Sequence, residues 1–376
     1  MIKKPIPLFT SNISLEAADA VANIIRSGMI NRGIQAQEFE RMFMKMFKCP
    51  YAYSVNSCTS ALRMAYDIIA DLTPTWRKPP FEIITTPYTM VATNTAILEC
   101  GFKPVFVDVE YETANIHPER IEDAITEHTI AIIGVDYAGA PCEWHRINKI
   151  AYDFDLKVVQ DAAQAIGAKY HKQEICNLTD VTCYSFQAIK HITTGNGGMF
   201  VTIAPDIAEL ANSKIWFGIN KAQRISDELG SRPEDIKTLG FKYGMNDIAA
   251  TMGIYQLKDL TRILQYRKAI AMQYQEELKG VKDLTLMQYD KEIEGANWMF
   301  PIHVERRSKF AKKMRDAGIE VAVHNWRNDQ YSIFGGLQDL PNTKKINDDL
   351  IHIPLHQNLT ISEVEYIIKT IKGLKW

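Results

Sequence analysis

The sequence predicts an α/β fold: a mostly parallel central sheet with helices on both faces, followed by a smaller C-terminal α+β domain. Three observations carry this. Over the first two thirds of the chain, short β-branched runs alternate with helical patterns, as strand–helix–strand units require. Near residue 250 the alternation gives way to one long pattern of apolar residues at helical spacing. The 376 residues suffice for roughly two domains. We set the division at 1–250 for the large domain and 251–376 for the small one.

The elements follow in order. Residues 61–69 (Ala-Leu-Arg-Met-Ala-Tyr-Asp-Ile-Ile) read as a helix, with Ser57 and Thr59 ahead of it as natural caps. Ile83-Ile-Thr-Thr86 is β-branched throughout and predicts a strand; a helix over 91–98 and a strand over 105–107 come next. A third strand spans 130–135, a helix 144–154, and a fourth strand 157–160, which stops at Asp161. In such sheets ligands bind beyond the carboxyl ends of the strands, so the pattern alone puts Asp161 at the ligand edge. Later, Ile248, Met252, Tyr255, Leu257 and Leu260 give a helix over 246–264, with Asn246-Asp247 as its cap. A strand at 298–304 and a helix at 308–317 follow. The tail carries Val364, Ile367, Ile368, Ile371 and Leu374 on one helical face, capped near Thr360. The stretches 73–80 and 224–234 are polar or proline-rich and read as surface loops.

Composition narrows the function classes. Hydrophobic residues make up 46% of the chain and charged residues 23%, as in ordinary globular proteins. A net charge of −2 leaves no electrostatic footprint for nucleic acid or an anionic membrane. The opening Met1-Ile-Lys-Lys-Pro-Ile-Pro-Leu is basic but broken by prolines, unlike a secretion signal, and no apolar run is long enough to span a bilayer. Six cysteines are scattered without metal-type spacing, so we expect reduced thiols, no metal site and a cytoplasmic protein.

Two residues suggest chemistry. Asp161 closes a strand, and Lys190 stands 29 residues later, just ahead of Thr193-Thr-Gly-Asn-Gly-Gly198. Such a pair suits pyridoxal phosphate (PLP): the carboxylate keeps the pyridine nitrogen protonated and the lysine binds the aldehyde as a Schiff base. A lysine in apolar surroundings, as the approach Tyr184-Ser-Phe186 implies, has the lowered pKa that an amine nucleophile needs. Ser57, Cys58 and Thr59, at the start of a helix, would cradle an anion, with Ser185 adding a hydroxyl. Each feature also has a plain reading. Asp161 serves equally as a helix cap, Lys190 as a solvated surface lysine, and Ser57 or Thr59 as a simple capping residue.

Together these segments resemble the DegT/DnrJ/EryC1/StrS sugar aminotransferases, within the fold type I PLP-dependent transferases. Ser27-Gly-Met-Ile-Asn-Arg-Gly33 with Glu38-Phe-Glu40 is similar to the family's SG…G…EFE opening, and Ser57-Cys-Thr-Ser-Ala-Leu62 to SGTAAL. Gln160-Asp-Ala-Ala-Gln-Ala165 is similar to EDAAQA, and 185–198 to SF…K…T.GEGG. Leu239-Gly-Phe-Lys-Tyr-Gly-Met-Asn-Asp-Ile248 is similar to LGYNYRM.DI.

The resemblance implies residue roles. Lys190 would be the Schiff-base and proton-moving lysine, and Asp161 the partner of the ring nitrogen. Gln164 would sit near the ring, and Ser57, Cys58, Thr59 and Ser185 would hold the phosphate. Met90 stands where the family has a stacking aromatic; a thioether can lie on a π-face, with Tyr88 as its rival. Lys242 replaces the family's asparagine in a segment that crosses to the neighbouring subunit's phosphate, which implies a homodimer with shared sites. Tyr88, His324 and Arg327 are candidate substrate contacts, Arg327 for a diphosphate or carboxylate, with a surface ion pair as its plain reading.

The implied activity is transfer of an amino group from glutamate or glutamine to a keto sugar on a nucleotide, with a 4-keto-6-deoxy sugar favoured. Two alternatives stand beside it. In the sugar 3-dehydratase branch a histidine replaces the lysine, and here Lys190 is intact. A PLP-binding regulatory protein without catalysis is the other.

Overall fold

The computed structural model describes residues 5–220, 228–230 and 235–375. Two helices come first, α1 (Leu15–Ser27) and α2 (Ile34–Phe47), followed by β1 (Tyr51–Val55) and α3 (Cys58–Leu72). Strand and helix then alternate: β2 (Glu82–Thr85), α4 (Val91–Glu99), β3 (Lys103–Phe106), β4 (Thr129–Val135), α5 (Trp144–Asp153) and β5 (Lys157–Asp161). The two-residue strands β6 (Lys169–Tyr170) and β7 (Gln173–Glu174) precede β8 (Val181–Ser185), β9 (Gly198–Thr202) and α6 (Pro205–Lys214).

Seven strands form one sheet in the order β1-β9-β8-β5-β4-β2-β3. The run from β3 through β8 is parallel, and β9 is antiparallel to both its neighbours. Every residue of β4 is buried, as a central parallel strand covered on both faces must be. Phe39 and Phe43 of α2 and Trp144 and Ile147 of α5 cover one face. Leu62 and Tyr66 of α3, Ile97 of α4 and Ile207 of α6 cover the other. Because β9 runs backwards, its first residue, Gly198, lies beside Ser185 and Val55 at the sheet's ligand edge. A Cβ on Gly198 would come within 2.6 Å of the Cys58 backbone nitrogen, so glycine lets α3 start close against the sheet.

The later part holds α7 (Asp247–Glu277), β10 (Leu284–Leu286), β11 (Ile293–Glu294), β12 (Phe300–Val304), α8 (Arg307–Asp316), α9 (Pro341–Asp349), β13 (Leu350–Ile353) and α10 (Ile361–Gly373). A second sheet, β10-β12-β13, packs with α8 and α10 around Ile302, Phe310, Ile353 and Ile367. The strand β11 instead pairs with β6. The N-terminal arm joins this second core through Ile6, which bridges to Ile319.

Three details differ from the sequence expectation. The helix expected over 246–264 continues to Glu277, because Ile270 and Tyr274 extend its buried face into the second core. Asn246 alone caps α7; Asp247 instead accepts the backbone N–H groups of Gly33, Gln35 and Ala36 and so caps α2. The strand expected from residue 298 begins at Phe300, since the Trp298 amide is committed to the Ala138 carbonyl. The capping box on α10 forms as read, between Thr360 and Glu363. In the 73–80 loop Trp76 is exposed, but Arg77 turns inward to the carbonyls of Thr129 and Phe154. Most of the 224–234 stretch lies outside the described residues. All six cysteines are unpaired. Among the described residues no helix is long and apolar enough to cross a membrane.

Candidate active site

A cavity of about 390 Å³ opens at the ligand edge of the large sheet. Its walls come from the first turn of α3, the Thr89–Thr93 segment, the end of β5, and the loop between β8 and β9. Asp161 lies at the bottom, 4% exposed, with Lys190 on the wall.

The surroundings of Asp161 are built from neighbouring elements. Its Oδ2 accepts the Thr93 hydroxyl at 2.7 Å and its Oδ1 accepts the Ala163 N–H at 3.0 Å. Burial pushes the carboxyl up from its ordinary range, while Thr93, Ala163 and the charge of Lys190 pull it back. Thr93 in turn shares a hydrogen bond with Thr89, whose carbonyl accepts from Asn328 of the small domain.

Burial lowers Lys190 to about 8, against the opposing pull of Asp161 and Cys58. The amine is therefore partly neutral near physiological pH, as nucleophilic and proton-moving work both require. Its ammonium stands 3.5 Å from the centre of the Trp298 ring. His324 also lines the cavity, and burial takes its pKa down to about 3, so the ring is neutral and acts only through hydrogen bonding or packing.

The start of α3 could receive an anion. Ser57 is the N-cap and its hydroxyl accepts the Ser60 N–H at 3.0 Å. Cys58 and Thr59 of the first turn line the cavity, and a helix start favours negative charge. Ser185, Asn196 and Gly197 continue the wall. A carboxylate at the bottom, an amine of lowered pKa and a helix start thus face one space. This donor set fits PLP.

The structure brings together nine of the twelve residues singled out in the sequence. Ser57, Cys58 and Thr59 line the cavity, as do Asp161, Gln164, Ser185 and Lys190. Met90 and His324 line it too. Gln164 is partly committed, since its Oε1 accepts the Ala138 N–H at 2.7 Å. Three residues lie elsewhere. Tyr88 is 0% exposed and packs on Tyr137, so Met90 is the one of the two rivals that faces the cavity. Arg327 is buried, bound through two nitrogens to Asp329 at 2.7 and 2.5 Å, and does not line the cavity. The pair with Asp329 is a buried one, not the surface pair named as its plain reading. Lys242 is exposed, bridges to Trp216 and does not touch its own chain's cavity.

Sequence reading missed Thr93, Asn196 and Trp298. Thr93 falls in the helix expected over 91–98, three residues after Met90, and that nearness was the available signal. Trp298 is 108 residues from Lys190 and nothing local marks it.

A sheet of this topology with an aspartate and a lysine at its ligand edge is the arrangement that a PLP-dependent enzyme needs. The sequence pattern of the DegT/DnrJ/EryC1/StrS aminotransferase family matches residues 11–372, and the chain belongs to that family. It is 37% identical to the uncharacterized protein MJ1066 of Methanocaldococcus jannaschii, over 98% of this chain and 97% of that one. The sugar aminotransferase CalS13 of Micromonospora echinospora superposes with a TM-score of 0.91 at 30% identity, over 98% of this chain and 99% of that one. The putative sugar aminotransferase Spr1654 of Streptococcus pneumoniae, solved in PLP and PMP forms, is also similar. Its PMP form gives a TM-score of 0.87 at 27% identity, with 98% of each chain covered.

Proposed function

We propose that this aminotransferase moves an amino group from glutamate or glutamine to the ketone of a nucleotide-linked sugar. A 4-keto-6-deoxy sugar is the favoured acceptor, in the biosynthesis of an amino sugar for a polysaccharide or glycoside. The observation that carries the reading is a partly neutral Lys190 and a buried Asp161 on one cavity. The likeness to CalS13 and Spr1654 supports a sugar as acceptor.

When bound, PLP supplies an electron sink that makes a substrate C–H bond acidic. In our assignment Asp161 faces the ring nitrogen, and Thr93 holds the carboxylate toward it. Lys190 would hold the cofactor and would move the proton at the reacting carbon. Ser57, Cys58, Thr59 and Ser185 would hold the phosphate, Met90 and Gln164 would face the ring, and His324 would face the substrate. Tyr88 and Arg327 drop out of the assignment because both side chains are committed elsewhere. Lys242, exposed on its own chain, is assigned to the phosphate of a neighbouring subunit in a cytoplasmic homodimer. We keep the division into a large domain, 1–250, and a small one, 251–376. The retained lysine speaks against the 3-dehydratase reading.

The test starts from PLP-loaded protein and glutamate, or glutamine, with the cofactor's absorbance followed. The expected result is conversion to the pyridoxamine form, reversed by one member of a panel of dTDP-, UDP- and GDP-linked 3-keto and 4-keto sugars. A loaded wild-type protein that neither donor converts would leave the regulatory reading standing instead.

A further inference from the structure

Trp298 is fixed more completely than a core tryptophan needs to be. The ring is 0% exposed. Its backbone N–H donates to the Ala138 carbonyl at 2.9 Å, and its indole N–H donates to the Ile189 carbonyl at 3.0 Å, one residue before Lys190. Its own carbonyl accepts from Arg267 at 3.0 Å. Phe9 stacks against the ring at 5.8 Å, and His324 meets it edge-on at 4.8 Å.

Arg267 is the unusual member of this cluster. It is 1% exposed, and among the described residues no carboxylate pairs with it. Its donors go to the carbonyls of Asn297, Trp298 and Leu355 and to the Gln357 amide oxygen. A buried guanidinium without a counter-charge is costly, even when its hydrogen bonds are satisfied. Here that cost goes with fixing the two residues that aim the Trp298 ring.

We propose that the face of Trp298 is the seat of the free Lys190 ammonium, and that Arg267 is the positioning residue that holds this seat in place. The inference rests on the reading of Lys190 as the proton-moving group. Once its amine is free, Lys190 must both take up a proton and give it back. Burial favours the neutral amine, whereas a π-face favours the ammonium. The other groups facing Lys190 are Asp161 from β5 and Cys58 from α3, which favour its charge, and His191 and His324, both neutral through burial. The ring therefore opposes desolvation and keeps the lysine's proton affinity where both transfers run near neutral pH.

The test uses full-length protein in the pyridoxamine-loaded form, in which Lys190 is a free amine. Competitive acetylation from pH 6 to 10, read on the Lys190 peptide by mass spectrometry, gives the amine's titration midpoint. Trp298→Leu is expected to lower that midpoint by about half a unit to one and a half units, and Trp298→Phe by less. Biosynthetic replacement of tryptophan by fluorotryptophans keeps the ring's shape while draining its π-face. Although all six tryptophans change, Trp298 is the one against Lys190 among the described residues. The midpoint is expected to fall stepwise with fluorine number; a midpoint that stays put there overturns the proposal even if Trp298→Leu fails to fold. Arg267→Lys keeps a cation but cannot span the carbonyls, and should move the midpoint the same way. An unmoved midpoint there removes Arg267 from the proposal. A wild-type protein that neither glutamate nor glutamine converts sinks the aminotransferase reading. A convertible one whose Lys190 ignores the ring sinks only the role of Trp298.

Discussion

The two walls of the cavity are built by different means. On the large-domain wall, Asp161 and Ser185 end parallel strands, and Ser57 opens the helix that follows β1. Each is placed by the element it terminates. On the other side, His324 lines the cavity and Trp298 lies behind it against Lys190; both are outside any strand or helix, in segments tied down by long-range hydrogen bonds and ring contacts. The first wall tolerates change as long as the sheet forms. The second depends on a few bonds between distant parts of the chain, among them Arg267 to Trp298 and Asn328 to Thr89.

The largest effect should come from the large-domain wall. Lys190→Ala removes the group that moves the proton, and the glutamate half-reaction should slow by roughly 10²–10⁴-fold, the usual weight of general acid–base catalysis. The cofactor should remain bound without covalent attachment, because the anion seat and Asp161 are untouched. A variant within tenfold of wild type in single-turnover absorbance would break the assignment. The same lysine sets a pH dependence. Its folded pKa, about 8, lies below the ordinary lysine range, so covalent capture of added PLP by cofactor-free protein should quicken as pH rises toward 8 and then level off. The unfolded chain holds more protons at this residue between about 8 and its ordinary pKa of roughly 10.4. Its contribution to stability therefore rises with pH across that window.

The segments behind the second wall should answer first in stability. Arg327 and Asp329 are 7% and 0% exposed at their side chains, and Arg327 also donates to the Gln338 carbonyl. Arg327→Met leaves a buried carboxylate without its partner, a loss of about 3–5 kcal/mol in denaturant unfolding. The double variant Arg327→Met/Asp329→Leu should recover most of this, since a well-packed apolar pair often replaces a buried ion pair at little cost. The KM for glutamate should stay near wild type in the double variant. A large rise in KM with unchanged stability would return Arg327 to the substrate site and blur the contrast between the walls.

The same contrast explains what could be read from sequence. Asp161, Lys190 and Ser57 sit in short motifs whose spacing to a strand or helix end is local, so pattern alone located them. Tyr88 and Met90 were equally plausible because both belong to one loop, and only the packing of Tyr88 on Tyr137 separates them. The ion pair offered for Arg327 as a surface feature is buried, because its partner is two residues away in a short 3-10 turn whose burial no periodicity announced. Trp298 was invisible for another reason: its importance comes from Ala138, Ile189 and Arg267, all remote in sequence. The β9 reversal was likewise hidden, since an antiparallel strand inside a parallel sheet carries the same apolar run.

The smallest effect sharpens the account of the anion seat. Ser57 has two candidate duties, capping α3 through the Ser60 N–H and holding the cofactor's phosphate. Ser57→Ala loses the cap, at about 1 kcal/mol, whereas glycine at an N-cap costs only a few tenths. Ser57→Gly thus removes the hydroxyl while largely sparing the helix. If the hydroxyl holds phosphate, both variants should release PLP more readily by roughly tenfold, although only the alanine variant melts measurably lower. If the hydroxyl merely caps, the glycine variant should bind PLP as wild type does, and the seat then consists of the backbone amides of Cys58 and Thr59 with Ser185. Equilibrium binding of PLP beside a thermal melt of each apo variant separates these outcomes, because capping moves both readouts and phosphate contact moves only one.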